Sequence, residues 1–568
     1  MARWGACWDD AGRWQARLWA PGADRVQLVL NGREQDMARD GDGYWSATAR
    51  PGIGDTYLFR VDGRLAPDPA SRCQVRGVHG ASVVTAAADF PWRVPWRGRD
   101  WAEAAIYELH VGSFTPSGTL AEAETRLAGL AALGFTAIEL MPLGQWPGQR
   151  GWGYDGVLPF ALHPAYGAPD DLRRFVDRAH GLGLMVLLDL VMNHFGPDGA
   201  SLHLTSPEFF DPGRQTPWGA AIDFSQPAVR AYWTECAEYW LAEFRLDGLR
   251  LDAVHQIAGP GARQFLADLA LRARGAGAGR AIHLVTEDER NLPDLRQSGY
   301  DASWNDDFHH AIHTLLTGED QGYYASFARD PMGDLALALA RGHVEQGQPR
   351  PGRDRPRGAP CGHLPPTAFV NAIQTHDQVG NRAQGERLLA LADPAGVRMA
   401  YALLLVAPYI PMVFMGEERG AQSPFLFFAD YRGDLAQAVR QGRAAEFADD
   451  PSFGGAVPDP LDPATLERSR IDWQDEGRAR PWLDLTRRAL DFRRESVVGL
   501  LKSGRIGAEV QRHGRRGLDA RWRFGAGTLR IVLSAGAVED LPAIAAPQFR
   551  LGRPGVDPFA LCASVEPS

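Results

Sequence analysis

Apolar and polar positions change their period twice along the chain. From residue 1 to about 97, short runs such as RWQARLWA and RVQLVL alternate apolar with polar, and turn signals break them at Pro21-Gly22, Asn31-Gly32, Gly41-Asp42-Gly43 and Asp62-Gly63. Period two with turns at this spacing predicts an antiparallel β-sandwich over 1–97. The Pro-, Trp- and Arg-rich stretch DFPWRVPWRGRD reads as a linker from Asp89 to Asp100. Beyond it, short apolar runs alternate with helical periods. The apolar runs are AIYELHV (105–111), AIELMP (137–142), LMVLLDLVMNH (184–194), GLRLDAV (248–254), IHLVTED (282–288), ASWND (302–306), AFVNAIQTHD (368–377) and IPMVFMGEE (410–418). Eight strands alternating with helices predict a parallel sheet closed as a (β/α)8 TIM barrel over 98–495, with a short insertion at 195–228 after the third strand. AEVQRHG, LDARWRF and TLRIVLS then predict a small C-terminal β-domain over 496–568. The Arg-, Gly- and Pro-rich stretch from Gln346 to Pro366 reads as an exposed loop.

Composition narrows the class. With 568 residues, 45% of them apolar and 23% charged, the chain is a folded protein of several domains. Lys502 is the one lysine among 60 basic residues, a bias in usage that carries no chemistry by itself. A net charge of −10 speaks against a nucleic-acid partner. Cys7, Cys73, Cys236, Cys361 and Cys562 are odd in number and never form a C-x-x-C pair, so free thiols in a reducing compartment are expected. The start MARWGACWDD has no basic-then-apolar leader pattern, and a cytoplasmic protein is expected. Met399 to Gly416 is uncharged, but Pro408 and Pro411 interrupt it, so it reads as a buried helix end and a core strand rather than a membrane span.

In such a barrel the chemistry sits at the C-terminal ends of the strands. Asp189, Asn193 and His194 close the third strand; Arg250, Asp252 and His255 the fourth; Glu287 and Asp288 the fifth; His376 and Asp377 the seventh. Carboxylates on otherwise apolar strands need a partner or a role. Two such carboxyls can share one reaction when their environments keep one ionised and the other protonated. Arg250, two residues before Asp252, shares its face of the strand and would keep it ionised. Asp189 is expected to brace Arg250, and alternation turns Asp288 away from Glu287.

The motifs DLVMNH (189–194), GLRLDAVH (248–255), VTED (285–288) and THD (375–377) resemble the α-amylase family of glycoside hydrolases. The resemblance implies Asp252 as nucleophile, Glu287 as general acid/base and Asp377 as the acid that holds hydroxyls of the distorted sugar, with His194 and His376 hydrogen-bonded to the same sugar. Further runs, including YELHVGSFTPSGT (107–119), WNDDFHH (304–310) and THDQVGNRAQGER (375–387), look like the trehalose-releasing members of that family. They imply cleavage of the α-1,4 bond next to the terminal trehalose of a maltooligosyltrehalose, downstream of the synthase that makes that terminus. Trp152, Tyr154, Asp155 and Trp218 are expected on the sugar, as are Asp306, Asp307 and His309 at the sixth strand's end, with His255 and Gln378. Many amylases hold calcium near the position of Asn193, but the loop here lacks a carboxylate cluster, and neither metal nor cofactor is expected. A glycogen branching enzyme shares the layout and the nucleophile chemistry. Sequence physics leaves hydrolase and transferase open.

Overall fold

The computed structural model describes residues 4–9, 11–86, 90–448 and 456–567. The N-terminal module is two antiparallel sheets packed face to face. One contains Gly5–Trp8, Trp14–Trp19, Tyr44–Ala49 and Ala38–Arg39; the other contains Arg33–Asp36, Val26–Leu30, Thr56–Val61 and Arg64–Ala66, with Ser82–Val83 added to Thr56–Val61. The two-residue turns behave as their sequences require: Asn31 and Gly32 have φ of 48° and 76°, Asp62 and Gly63 of 46° and 86°. Positive φ at both central residues gives the turn that matches strand twist, and it pairs Leu30 with Arg33 and Val61 with Arg64. Trp14, Leu18, Leu28 and Phe59 fill the space between the sheets.

Eight parallel strands close the barrel in chain order: Ile106–Leu109, Ala137–Leu140, Met185–Leu190, Gly248–Leu251, His283–Thr286, Ala302–Trp304, Phe369–Asn371 and Ile410–Phe414. Each lies inside an apolar run of the sequence. The helices begin and end on chemical signals. Leu120–Leu133 starts where Thr119 accepts the Glu122 N–H and stops at Gly134, whose φ is 107°. Met399 to Gly416 resolves into the helix Pro394–Val406 and the eighth strand, and no helix among the described residues is long and apolar enough to cross a membrane.

Three connecting segments are more ordered than their composition suggests. In the linker, Asp89 lies outside the described residues, but Trp96 stacks on His180 with centroids 4.6 Å apart and donates to Asp247 at 2.6 Å, which pins the chain under the barrel. The insertion after the third strand folds a hairpin, Phe210–Thr216 with Gly219–Ile222, that carries Trp218 in its turn. The Gln346 to Pro366 stretch is irregular but is not the free exposed loop its composition suggests. Buried Glu345 binds Arg353 at 3.1 Å and also Arg357, while Asp334 binds Arg350 at 2.7 Å, so the arginines fold back onto the barrel.

Behind the barrel, the helix Glu476–Phe492 runs through a π-turn, Arg493–Val497, into Val498–Lys502 and then into a five-stranded antiparallel sheet. Its members, in spatial order, are Arg505–His513, Gly517–Phe524, Gly527–Ala535, Phe559–Pro567 and Phe549–Leu551.

Candidate active site

One guanidinium organises the mouth of the barrel. Arg250 is fully buried, and Trp304 lies under it at 4.1 Å. Its Nη1 reaches Asp189 and Asp252 Oδ1 at 2.8 Å, and its Nη2 reaches Glu287 Oε2 at 2.7 Å. The pairing of the third and fourth strands sets this up, since Asp189 and Arg250 are register partners. Asp189 also accepts the Tyr154 hydroxyl at 2.5 Å, so it braces the arginine and the tyrosine together.

Two of the three carboxyls on Arg250, those of Asp252 and Glu287, are driven apart in acidity. Burial alone would raise Asp252, but Arg250, His194 and an Asn193 hydrogen bond of 2.7 Å outweigh it and hold the carboxyl below its ordinary value. Burial pushes Glu287 well above the carboxylate range; Arg250 opposes this, while Asp252, Asp377 and Asp306 add to it. Ala253, between the two, sits at φ 41°, an uncommon conformation for a residue with a Cβ, and this turn directs its N–H onto Glu287 Oε2 at 2.9 Å. The pair therefore presents one ionised and one protonated carboxyl at neutral pH, the division that acid-assisted nucleophilic displacement needs.

Around them is a cavity of about 590 Å3 lined by Trp152, Tyr154, Asp155, His194, Trp218, Asp252, His255, Glu287, Asp306, Asp377 and Gln378 among others. His376 is 1% exposed and packs against the lining residues Tyr154 and Asp377. Its ring stacks on Tyr154 with centroids 5.0 Å apart, Nδ1 lies 2.5 Å from Glu108, and Nε2 faces Asp377 at 3.5 Å. Burial would depress its basicity, but Asp377 and Glu108 raise it to about 9, so it is an imidazolium at neutral pH. Trp152 is buried to 7% exposure, stacks on Phe425 and touches Gly380, where a side chain would collide with its ring. Trp218 is 47% exposed and stacks on His194 at 4.9 Å. Both His194 nitrogens are already occupied, by Asn193 at 2.5 Å and by the Tyr154 carbonyl at 3.0 Å, so a sugar hydroxyl would have to displace one of them.

Four expected contacts, Arg250, His376, Asp307 and His309, are not among the residues that line the cavity. Asp307 is fully buried and accepts from Asn291, the backbone N–H groups of Val344 and Glu345, and Arg357. His309 has its nitrogens on the Ile373 carbonyl at 2.7 Å and the Tyr324 hydroxyl at 2.9 Å. On the helix Asp306–Thr317, Asp306 and His310 line the cavity, while these buried partners hold Asp307 and His309 inside the protein. Sequence reasoning missed His310, because helical spacing from Asp306 admits both His309 and His310. Tyr323, Arg353, Arg357, Glu289 and Asn381 also line the cavity, and only the folding back of the 346–366 stretch brings the two arginines there. Burial lifts Asp306 to about 6, against the pull of Arg357. Asn193 has its amide on Asp252, and no cluster of three metal-ligating side chains occurs among the described residues.

Comparison with known proteins places the chain in a family. Residues 92–203 match the family Alpha amylase, catalytic domain, and residues 3–71 match Carbohydrate-binding module 48 (Isoamylase N-terminal domain). The malto-oligosyltrehalose trehalohydrolase of Deinococcus radiodurans is 41% identical over 489 residues, 85% of this chain and 81% of that protein. A crystal structure from Salmonella typhimurium, given as a candidate alpha amylase, superposes over the full length of both chains with a TM-score of 0.95 at 44% identity. The 1,4-alpha-glucan branching enzyme of Rhodospirillum rubrum is 36% identical over 276 residues, covering 42% of this chain and 36% of that protein.

Proposed function

The chain belongs to the malto-oligosyltrehalose trehalohydrolase family within the α-amylase-type glycosidases, and from that premise we propose that Asp252, Glu287 and Asp377 carry out its reaction with retention at the anomeric carbon. The bond cleaved is the α-1,4 link next to the terminal trehalose of a maltooligosyltrehalose, and trehalose is the leaving group. The observation that carries the assignment is the Arg250 bridge, which joins an ionised Asp252 to a protonated Glu287.

In the first step an Asp252 oxygen attacks the anomeric carbon of the maltooligosyl unit. The Glu287 proton passes to the departing trehalose oxygen, and a glycosyl ester on Asp252 remains. In the second step Glu287, now a carboxylate, takes a proton from water. That water opens the ester, releases the shorter maltooligosaccharide and restores both carboxyls. Asp377, 36% exposed beside the imidazolium of His376, would accept sugar hydroxyls. Tyr154 and Trp218 offer ring faces to pyranose rings.

The branching-enzyme reading differs only in the second acceptor, a sugar hydroxyl in place of water. Its likeness covers less than half of either chain, which supports the hydrolase. The substrate would come from a synthase that builds the trehalose terminus, and the free cysteines support a cytoplasmic setting. Incubation with maltotriosyltrehalose is expected to give trehalose and maltotriose, with little cleavage of maltopentaose. Asp252→Ala should lower kcat at least a thousandfold, roughly as for removal of a covalent nucleophile, while sugar binding survives. New α-1,6 branches in amylose would overturn the hydrolase assignment.

A further inference from the structure

Beneath the layer that faces the sugar, the barrel buries two glutamates on neighbouring strands. Glu108 and Glu139 are register partners of the first and second strands, and each is 1% exposed. Glu108 is fully used: Oε1 lies 2.5 Å from His376 Nδ1, and Oε2 accepts the His376 backbone N–H at 3.3 Å. Glu139 is the opposite case, with both oxygens shut away from solvent and neither hydrogen-bonded to another group. An ionised carboxylate in that position would be an uncompensated buried charge, a penalty that proteins avoid by binding a proton.

The charged groups around Glu139 leave it no counter-ion. Glu108 faces it from the first strand, Asp189 from the third, Arg250 from the fourth and His376 from the turn after the seventh. Arg250 is already divided among Asp189, Asp252 and Glu287, and His376 is held by Glu108 and faces Asp377. From this juxtaposition we infer that Glu139 is a protonated carboxylic acid at neutral pH. By staying neutral it leaves Arg250 to Asp252 and Glu287, and His376 to Glu108. Its titration runs the same way: burial first, then Glu108 and Asp189, hold the carboxyl well above the usual range against Arg250 and His376. The protonation does not depend on the assignment of Asp252 and Glu287 made above.

Glu139→Gln, of the same shape and unable to ionise, is the test, with Glu139→Met as a second neutral replacement. The infrared difference spectrum between wild type and Glu139→Gln at neutral pH should contain the carbonyl stretch of a buried carboxylic acid, present only in the wild type. In nitrogen-15-histidine-labelled protein, His376, identified by its loss in His376→Gln, should keep its titration midpoint near 9 in Glu139→Gln. Neither measurement uses a substrate, so neither depends on the proposed reaction. With maltotriosyltrehalose, both variants should retain kcat within about threefold of wild type, roughly the effect of a residue that makes no transition-state contact. Absence of the acid band would overturn the protonation. So would a fall of about one unit or more in the His376 midpoint, because an ionised Glu139 would have been supporting that imidazolium. A loss of about a hundredfold in kcat in both folded variants would overturn the inference that a neutral group is all this position needs.

Discussion

At the scale of single residues, the site is a problem of charge crowded into little space, and Arg250 and His376 are the two cations that settle it. Each is nearly inaccessible and fixed by carboxylates on other strands, so the charges are held by geometry rather than by solvent. His376 gives this a measurable consequence. Its ordinary value is 6.5 and its folded value about 9, so protonation is favoured in the folded state. That contribution to stability is fully present below pH 6.5 and is lost as the pH rises through 9, on the order of 3 kcal/mol in all. Unfolding free energy measured from pH 6 to pH 10 should show this decline in the wild type and lack it in His376→Gln. An equal decline in both would place the titration elsewhere. Asp252, Glu287, Asp377 and His376 could be read from the sequence because each stands at a strand end, where an apolar run gives way to charge. Glu139 could not: AIELMP reads as an ordinary core strand, and only the closed barrel reveals that its glutamate has no partner.

At the scale of elements, the helix Asp306–Thr317 and the stretch after Glu345 work as one unit. Asp307, at the second position of the helix, ties down the N–H groups of Val344 and Glu345 together with Arg357, and so places Arg353 and Arg357 on the cavity wall. Asp307→Ala would leave buried donors unanswered and is expected to destabilise the protein by about 3–5 kcal/mol, the usual loss when one partner of a buried ion pair is removed. Hydrogen exchange should speed up most between residues 344 and 359, and Asp307→Asn should recover part of the loss. Exchange unchanged from wild type would show that the stretch holds itself. Composition could not reveal this. Arg, Gly and Pro make a segment irregular, and they say nothing about which carboxylate beneath it binds the arginines.

At the scale of the whole molecule, tryptophans sew the modules together. Trp4 leaves the sandwich to pack edge-on against Tyr232 at 5.0 Å and to donate to the Ala228 carbonyl at 2.8 Å, while Tyr232 donates back to Pro69 at 2.7 Å. Trp522 of the C-terminal sheet reaches the Leu339 carbonyl at 2.8 Å. Trp4→Ala should cost about 3–5 kcal/mol, as for other large aromatic truncations in a core, and should split the thermal unfolding of sandwich and barrel into separate calorimetric transitions; one unchanged transition would mean that the seam does not couple them. Eight of the 17 tryptophans precede residue 102, and their number reflects this packing rather than the sugar site. By itself, the sequence determined the order of the modules, the eight strands, the two-residue turns and the acids at the strand ends. Periodicity and local turn chemistry act over a few residues and need no partner. Only the tertiary structure decided that His310 rather than His309 faces the cavity, that Asp307 turns inward, that two arginines from an irregular stretch reach the site and that Glu139 is left without a counter-ion. Each of these depends on which distant groups share a buried volume, and burial is a property of the assembled barrel.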